Sequence, residues 1–410
     1  MDFSRIRPFL WLVVVSLTLI SNDVAPTDVP TLNEQSSLDG LRERVELGEY
    51  QVVIDQVSNQ INEIREANGN FDARLADPYI VLGDAQLGLG NAEDAAESFA
   101  SALNVTRMNK GLHSTDQLTS LYRIAGALSV AGDYQKANEA QERAYGIMLN
   151  QLGSRNPQLL PSMLKLIDWY ESNRRFSAAK ILYIKAIQLA NRAIPSDDVR
   201  QVELARAFAA GMRNTVFPPM DGKTRFRGFE VQVPGYEPPP PGKSPPSSYS
   251  LGRLALVDVV DFVEKHAPSD EETIAMAKLN LADWHQLFGR ESKATRMYRE
   301  IWRELESLPE LRESTFGEPK LLYIRLPEFN DLTAAGSDVG IVELLLTVTY
   351  RGAVTGRISQ VVEPPNTDIE FRTRVAAREA RFRPAMADGK PLTIRGFLLT
   401  HRYPLPTRGP

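Results

Sequence analysis

Gly132-Asp133-Tyr134 has counterparts at a constant spacing of 42 residues, which are Gly48-Glu49-Tyr50, Gly90-Asn91-Ala92 and Arg174-Arg175-Phe176. Five residues after the start of each triplet stands a small or branched apolar residue, in order Val53, Ala95, Ala137 and Ala179. Self-similarity at such a period is typical of stacked helical hairpins, because each hairpin buries its apolar face only against its neighbours. The spacing therefore predicts a helical-repeat array, which is first of all a binding architecture.

The residues inside one repeat predict two antiparallel helices. In the second repeat, Tyr79 and Leu82 recur at helical spacing, and Gly90 then interrupts the pattern. Glycine commonly ends a helix because it enters the left-handed conformation readily. Ala95, Phe99 and Ala102 then line one face of a second helix. Small residues on this face should let the two helices approach closely.

This pattern resembles the tetratricopeptide repeat from about 38 to 195. The period of 42 residues, rather than 34, is similar to the longer repeats of kinesin light chains, as is the connector from Leu152 to Pro157. The resemblance implies an α-solenoid whose first helices line a groove for protein or peptide partners. On that template the groove residues are Asp84, Tyr122, Asp168 and Glu171. Acidic groups there would repel a carboxylate, so a basic or apolar segment is the expected occupant.

Downstream of the array, the composition changes twice. Residues 196–250 are expected to be partly helical and then to form a Pro-rich linker, since nine prolines occur between Phe217 and Ser250. Such a stretch cannot form a helix or a central strand. The array template returns at Leu281, Gly289 and Tyr298, which predicts a further helical repeat unit over 251–310.

The C-terminal region predicts a small α+β module. Val342, Leu344, Leu346 and Val348 alternate with other residues at a period of two, which indicates a strand. A turn at Arg351-Gly352 leads to a second strand through Val354 and Val361, then a short helix near Phe371 and a final strand over 393–403. The predicted order is strand, strand, helix, strand.

The motifs Arg381-Phe382-Arg383-Pro384-Ala385 and Asp388-Gly389-Lys390-Pro391 resemble the C-terminal domain of TonB energy transducers, over 316–404. The fold expected for the chain is thus mainly α, a tetratricopeptide-like α-solenoid followed by a small α+β TonB-like domain. The resemblance implies that an edge strand pairs with a strand of a partner. The residues implied for this contact are Thr393, Ile394, Arg395 and Leu398 of the last strand, with Arg381 and Arg383 of the basic segment.

The N-terminus predicts export. Arg5 and Arg7 precede an apolar run from Phe9 to Ile20, which is shorter than the roughly 20 residues that span a bilayer as a helix. Residues 1–25 are therefore expected to be a signal peptide or an N-terminal anchor, and the protein to be periplasmic, either soluble or anchored to the inner membrane.

The sequence contains nothing that predicts catalysis. It has no cysteine, and His113, His266, His285 and His401 have no partners at metal-ligand spacing. Neither an enzyme activity nor a cofactor is expected, and a net charge of -5 gives no reason to expect nucleic acid. We predict a periplasmic scaffold or adaptor for proteins, with outer-membrane receptors or envelope complexes as the partners that the TonB resemblance implies. The alternative is an inner-membrane transducer of TonB type.

Overall fold

The computed structural model describes residues 32–219, 247–327 and 339–405. The helices are α1 (Leu32–Glu46), α2 (Tyr50–Asn68), α3 (Ala76–Gly88), α4 (Ala92–Lys110), α5 (Gln117–Val130), α6 (Tyr134–Leu152), α7 (Leu160–Ser172), α8 (Phe176–Ala193), α9 (Val199–Asn214), α10 (Ser248–His266), α11 (Glu271–Leu287), α12 (Glu291–Glu304), α13 (Pro309–Phe316) and α14 (Thr367–Glu379). The strands are β1 (Lys320–Tyr323), β2 (Val339–Val348), β3 (Val354–Glu363), β4 (Arg381–Arg383), β5 (Met386–Ala387), β6 (Lys390–Pro391) and β7 (Ile394–Pro404). The predicted export segment at 1–25 and most of the predicted Pro-rich stretch lie outside the described residues.

Residues 32–109 form one compact unit, which contains α1 to α4. Its core joins Val53 and Val57 of α2 to Val81 and other residues of α3. Gly83 lies against the Phe99 ring of α4, and a Cβ at Gly83 would stand 2.5 Å from that ring. The close helix contact that the small repeat residues predicted is therefore present in this hairpin.

The described residues from Lys110 onward form a second compact unit, which begins with hairpins α5/α6, α7/α8, α9/α10 and α11/α12. Consecutive hairpins pack in chain order, and one apolar core extends from Tyr145 of α6 to Trp284 of α11. The expectation of a mainly helical repeat array, followed by a small region with antiparallel strands, is confirmed.

The pairing of α9 with α10 corrects the expected linker over 196–250. These two helices, which flank the Pro-rich stretch, pack against each other as one hairpin. Their adjoining ends meet, since the hydroxyl oxygens of Thr215 and Ser248 lie 2.8 Å apart. The Pro-rich stretch is thus an insertion inside one repeat. The helices on its two sides belong to a continuous array, and α10 is not the start of a separate unit at 251.

The repeated triplets owe their glycines to backbone conformation. Gly48, Gly90 and Gly132 have φ of 81°, 87° and 84°, in the left-handed region that favours glycine. Arg174 occupies the corresponding place with φ 56°, so the fourth triplet adopts the same turn without a glycine. A left-handed residue other than glycine is strained by roughly 1–2 kcal/mol.

The C-terminal module contains the predicted order of strands and helix, with additions. Its main sheet is antiparallel with the order β3-β2-β7, and α14 contributes Ile369 and Ala377 to the core beneath the buried face of β2. Two short pairs, β1 with β4 and β5 with β6, were not predicted. Because β1 pairs with β4, the residues just after α13 are part of this module.

A buried ion pair attaches the module to the array. Arg383 of β4 donates to both carboxylate oxygens of Asp283 on α11, at 3.0 and 2.7 Å, and to the Thr315 carbonyl at 2.9 Å. The Tyr298 hydroxyl also donates to Asp283, at 2.8 Å. Met386 of the module shares an apolar cluster with α11, α12 and α13. The module and the last hairpin are consequently held in one packed arrangement.

Candidate protein-binding surfaces

The first helices of two neighbouring hairpins meet at a cation–aromatic contact. Lys165 of α7 places Nζ 3.3 Å from the centre of the Tyr122 ring on α5. Burial lowers the pKa of the Lys165 ammonium and raises the pKa of the Tyr122 phenol. Tyr122 is half-buried, and its contact with Lys165 lies within the protein. The sequence reasoning missed Lys165, although it stands three residues before Asp168 on the same helical face.

Asp168 and Glu171 follow Lys165 along α7 at helical spacing, but their surroundings differ. Asp168 is exposed, whereas Glu171 is half-buried and accepts a hydrogen bond from the Tyr183 hydroxyl of α8 at 3.3 Å. Burial raises the pKa of Glu171. Hydrogen bonds from Tyr183 and Asn214 act in the opposite direction but do not cancel this effect. Glu171 thus links helices of the array, and Asp168 is the acidic group that faces solvent.

Asp84 belongs to the other compact unit. It lies half-buried on α3, while Tyr122, Asp168 and Glu171 belong to the unit that starts at Lys110. Within that second unit, the surface contains Lys165 as well as the predicted acidic residues. That these residues bind a partner stays a prediction.

The edge strand predicted from the TonB resemblance corresponds to β7. It pairs with β2 on one side, and the part of the sheet that the structure describes has no strand on its other side. From Phe397 to Pro404 every residue pairs with β2 without a break in register, and the irregularity near Gly396 comes before this run. Backbone groups along an open edge can accept a further strand.

The opposite edge of the same sheet is less regular. Strand β3 shifts register twice against β2, near Gln360 and near Thr355. Such bulges bend a strand and interrupt the row of groups that another strand would need. Of the two edges of this sheet, β7 has the longer uninterrupted run, so β7 is the better template for strand addition.

The open face of the sheet carries an apolar row beside this edge. Leu345 of β2 lies opposite Ile358 of β3 and Leu398 of β7. Ile358 is 67% exposed and Leu398 is 51% exposed. Thr400 and Arg402 continue the solvent-facing side of β7, and Arg395 lies opposite Thr347 on the same side. A strand added to β7 would therefore lie beside the apolar side chain of Leu398, with Arg395 and Arg402 further along the same side of β7.

Arg383 corrects the prediction of a basic docking segment. It is 8% exposed, and its guanidinium is occupied by Asp283 and Thr315. Burial by itself lowers the pKa of Arg383, but the adjacent Asp283 carboxylate outweighs this and raises it. Arg383 is thus a joint between module and array, and the folded protein does not offer it to a partner. Arg381, two residues earlier, is half-buried.

The two remaining predicted residues lie where β7 begins. The Thr393 hydroxyl accepts a hydrogen bond from the Tyr350 backbone N–H at 3.1 Å. Ile394 lies opposite Val348, which is buried, so its side chain faces the covered side of the sheet. Leu398 and Arg395 are the predicted residues of this strand that face solvent.

No metal centre or membrane-spanning helix is found among the residues that the structure describes. There, no three His, Asp or Glu side chains converge in a way that could hold a metal ion. No helix within 32–219, 247–327 or 339–405 is both long and apolar enough to cross a bilayer.

The comparisons with known proteins concern the helical hairpins. No protein-family model and no curated protein matches the chain. A Podosopora anserina protein described as a kinesin light chain with nearly identical TPR-like repeats is similar at 17% identity, over 59% of this chain and 97% of that one, with a TM-score of 0.38. BtubC from P. vanneervenii is similar at 14% identity, over 70% and 99% of the two chains, with a TM-score of 0.34.

Proposed function

We propose that this protein is a non-catalytic scaffold or adaptor that binds protein partners at two places. One is the surface formed by the first helices of the array, around Tyr122, Lys165 and Asp168. The other is the outer edge of β7. The second site rests on the unbroken register of β7 from Phe397 to Pro404, along an edge where the described residues place no further strand.

The joint between the module and the array favours an adaptor. In the TonB transducers that the C-terminal motifs resemble, a long Pro-rich spacer separates the C-terminal domain from the membrane segment. Here Arg383 holds the module on α11 through a buried ion pair with Asp283. A module fixed in this way suits holding two partners at a set distance better than reaching across a compartment.

Site-specific cross-linking tests the strand-pairing site. A photoreactive amino acid is placed at Thr400 of β7 and, as the matched control, at Ile358 of the irregular edge β3; cross-linked proteins from the native host are identified by mass spectrometry. We expect a defined partner at Thr400 and none at Ile358. Equal cross-linking at both positions, or none at Thr400, would refute strand pairing at β7.

Charge reversal tests the array surface. Asp168→Lys should weaken partner capture at low salt, because Asp168 is an exposed acid expected to meet a basic segment. Glu139→Lys on α6, a second helix of a hairpin, makes the same change in net charge elsewhere. If both variants capture partners equally well, the array surface around Asp168 is not used.

We further propose that the protein acts in the bacterial periplasm. The support is the basic-then-apolar sequence from Arg5 to Ile20. N-terminal sequencing and membrane fractionation of the protein from its host decide between two forms. A cut near residues 21–25 with soluble recovery means a free adaptor. An intact N-terminus in the inner membrane would instead support the transducer alternative.

A further inference from the structure

A pocket away from both proposed docking surfaces lies between α6, α7 and α8. Its volume is about 480 Å³, within the range of small-ligand sites. Tyr145 and Leu149 of α6, Leu159 and Met163 at the start of α7, and Leu189 of α8 form an apolar floor. The connector at Ser154 and Arg155 forms one side of the opening, and the last turns of α8 form the other.

The opening of this pocket is strongly cationic. Arg155, Lys185 and Arg192 line it together with Ser154 and Gln188, and no Asp or Glu is among the lining residues. Arg155 and Arg192 are exposed, and neither makes an ion pair within the described part of the chain. This concentration of positive charge is unexpected in a chain of net charge -5.

The repeat does not require these charges. The residues 42 positions before Arg155 and Arg192 are His113 and Asn150, so the corresponding places of the preceding repeat carry no arginine. The apolar floor, in contrast, continues the array core, since Tyr145, Leu159 and Met163 all belong to it. Lys185 has a basic counterpart in Arg143, so the two arginines are the cations added to a standard hairpin packing.

We propose that this pocket binds an apolar carboxylate, whose hydrocarbon part lies on the floor while its carboxylate meets Arg155 and Arg192. A guanidinium forms paired hydrogen bonds with a carboxylate, and two such groups at one opening give a charge match. Two sources have this chemistry: a medium-chain fatty acid and the free C-terminus of a peptide that ends in apolar residues.

Calorimetric titration of the full chain tests the proposal with both sources. The probes are decanoate and a short peptide ending in Leu-Phe with a free carboxylate. Decanol and the C-terminal amide of the same peptide are the uncharged controls. We expect saturable binding of at least one acid, with a dissociation constant on the order of 0.1 mM for a ligand of this size, and no binding of its uncharged control. The acid that binds identifies the source.

Variants assign the binding to this pocket. Arg155→Glu combined with Arg192→Glu should weaken it at least tenfold, whereas Arg206→Glu on α9, an exposed arginine outside the pocket lining, should leave it unchanged. Gln188→Trp, at an exposed position, should block the opening without altering the core. Circular dichroism verifies that each variant is folded. Equal binding of acids and uncharged controls, full binding by the double variant, or no saturable heat up to about 5 mM would overturn the proposal.

Discussion

Arg174 shows how the repeat tolerates an unfavourable residue. The turns at Gly48, Gly90 and Gly132 and at Arg174 share a left-handed conformation, yet only Arg174 has a Cβ in it. The fold of the neighbouring helices therefore imposes the turn, since the residue itself does not favour it.

Exchanging the two residue types tests this reading. Gly132→Arg should lower the free energy of unfolding by about 1–2 kcal/mol, the cost of a left-handed residue with a Cβ. Arg174→Gly should raise it by about 0.5–1 kcal/mol, because the greater entropy of glycine in the unfolded chain offsets part of the relieved strain. Urea denaturation measures both. A gain in stability from Gly132→Arg would contradict the explanation.

Burial also affects the protonation of His285. It is 6% exposed, and its Nδ1 lies 3.0 Å from the Tyr249 hydroxyl. Burial lowers the pKa of His285 from 6.5 to about 4, and the cations Arg253, Arg290, Lys293 and Arg296 act in the same direction. The folded array therefore favours the neutral form of the His285 imidazole.

This arrangement predicts a dependence of stability on pH. As the pH falls below 6.5 the unfolded chain binds a proton at His285 while the folded chain does not, so stability is lost between pH 6.5 and about 4. When the pH is lowered from 7 to 5, the free energy of unfolding of His285→Gln should fall by about 1–2 kcal/mol less than that of the unaltered protein. His266→Gln, at an exposed histidine of α10, is the control. Parallel pH profiles for all three proteins would rule the effect out.

Helix α10 packs on α11 at a point where only glycine fits. A Cβ at Gly252 would lie 2.2 Å from the Trp284 ring, while a Cβ at Gly126 of α5 would meet nothing within 4 Å. Gly252→Ala should therefore destabilise the protein by about 1–3 kcal/mol through overpacking. Gly126→Ala should stabilise it by about 0.5–1 kcal/mol, since alanine is the better helix former. Thermal unfolding compares them, and equal shifts for the two variants would contradict the packing described.

Some elements of the fold could be predicted from the sequence, and others could not. Glycine spacing and apolar alternation predicted the hairpins and β2, because both patterns follow from local geometry. A second glycine series has the same period: Gly69, Gly111 and Gly153 have positive φ and follow the ends of α2, α4 and α6, so this spacing also indicates helix ends. The pairing of α9 with α10 was hidden by the Pro-rich stretch between them. Arg383 was assigned to the surface because its partner, Asp283, lies far away in the chain.

The Pro-rich insertion provides a test of the continuous array. Because Thr215 and Ser248 already touch, replacing 220–246 with a five-residue Gly/Ser turn should leave the fold intact. A shorter loop costs less entropy to close, so the free energy of unfolding should rise by about 1 kcal/mol. Circular dichroism and urea denaturation measure this. Loss of helix content in the shortened protein would show that α9 and α10 do not form one hairpin.

The joint between module and array should dominate the stability of this end of the chain. Asp283→Leu leaves Arg383 buried without its partner and should cost about 3–5 kcal/mol. Adding Arg383→Met should recover much of this loss, because no unpaired charge then remains. Asp368→Leu, which breaks an exposed ion pair with Arg372 on α14, should cost less than about 0.5 kcal/mol. Chemical denaturation compares the three variants with the unaltered protein. If Asp283→Leu lowered the free energy of unfolding only slightly, the ion pair would not be a structural joint.

The same joint has a mechanical consequence. A partner strand beside β7 would load the sheet along its length, and β4 lies in the module that this sheet belongs to. Tension on β7 would pass through Arg383 and through Gln286, whose amide donates to the Arg351 carbonyl at 2.6 Å, directly into α11. Under a pulling force, the module would not extend away on a slack tether. The load would reach the last hairpin of the array as soon as it was applied to the sheet.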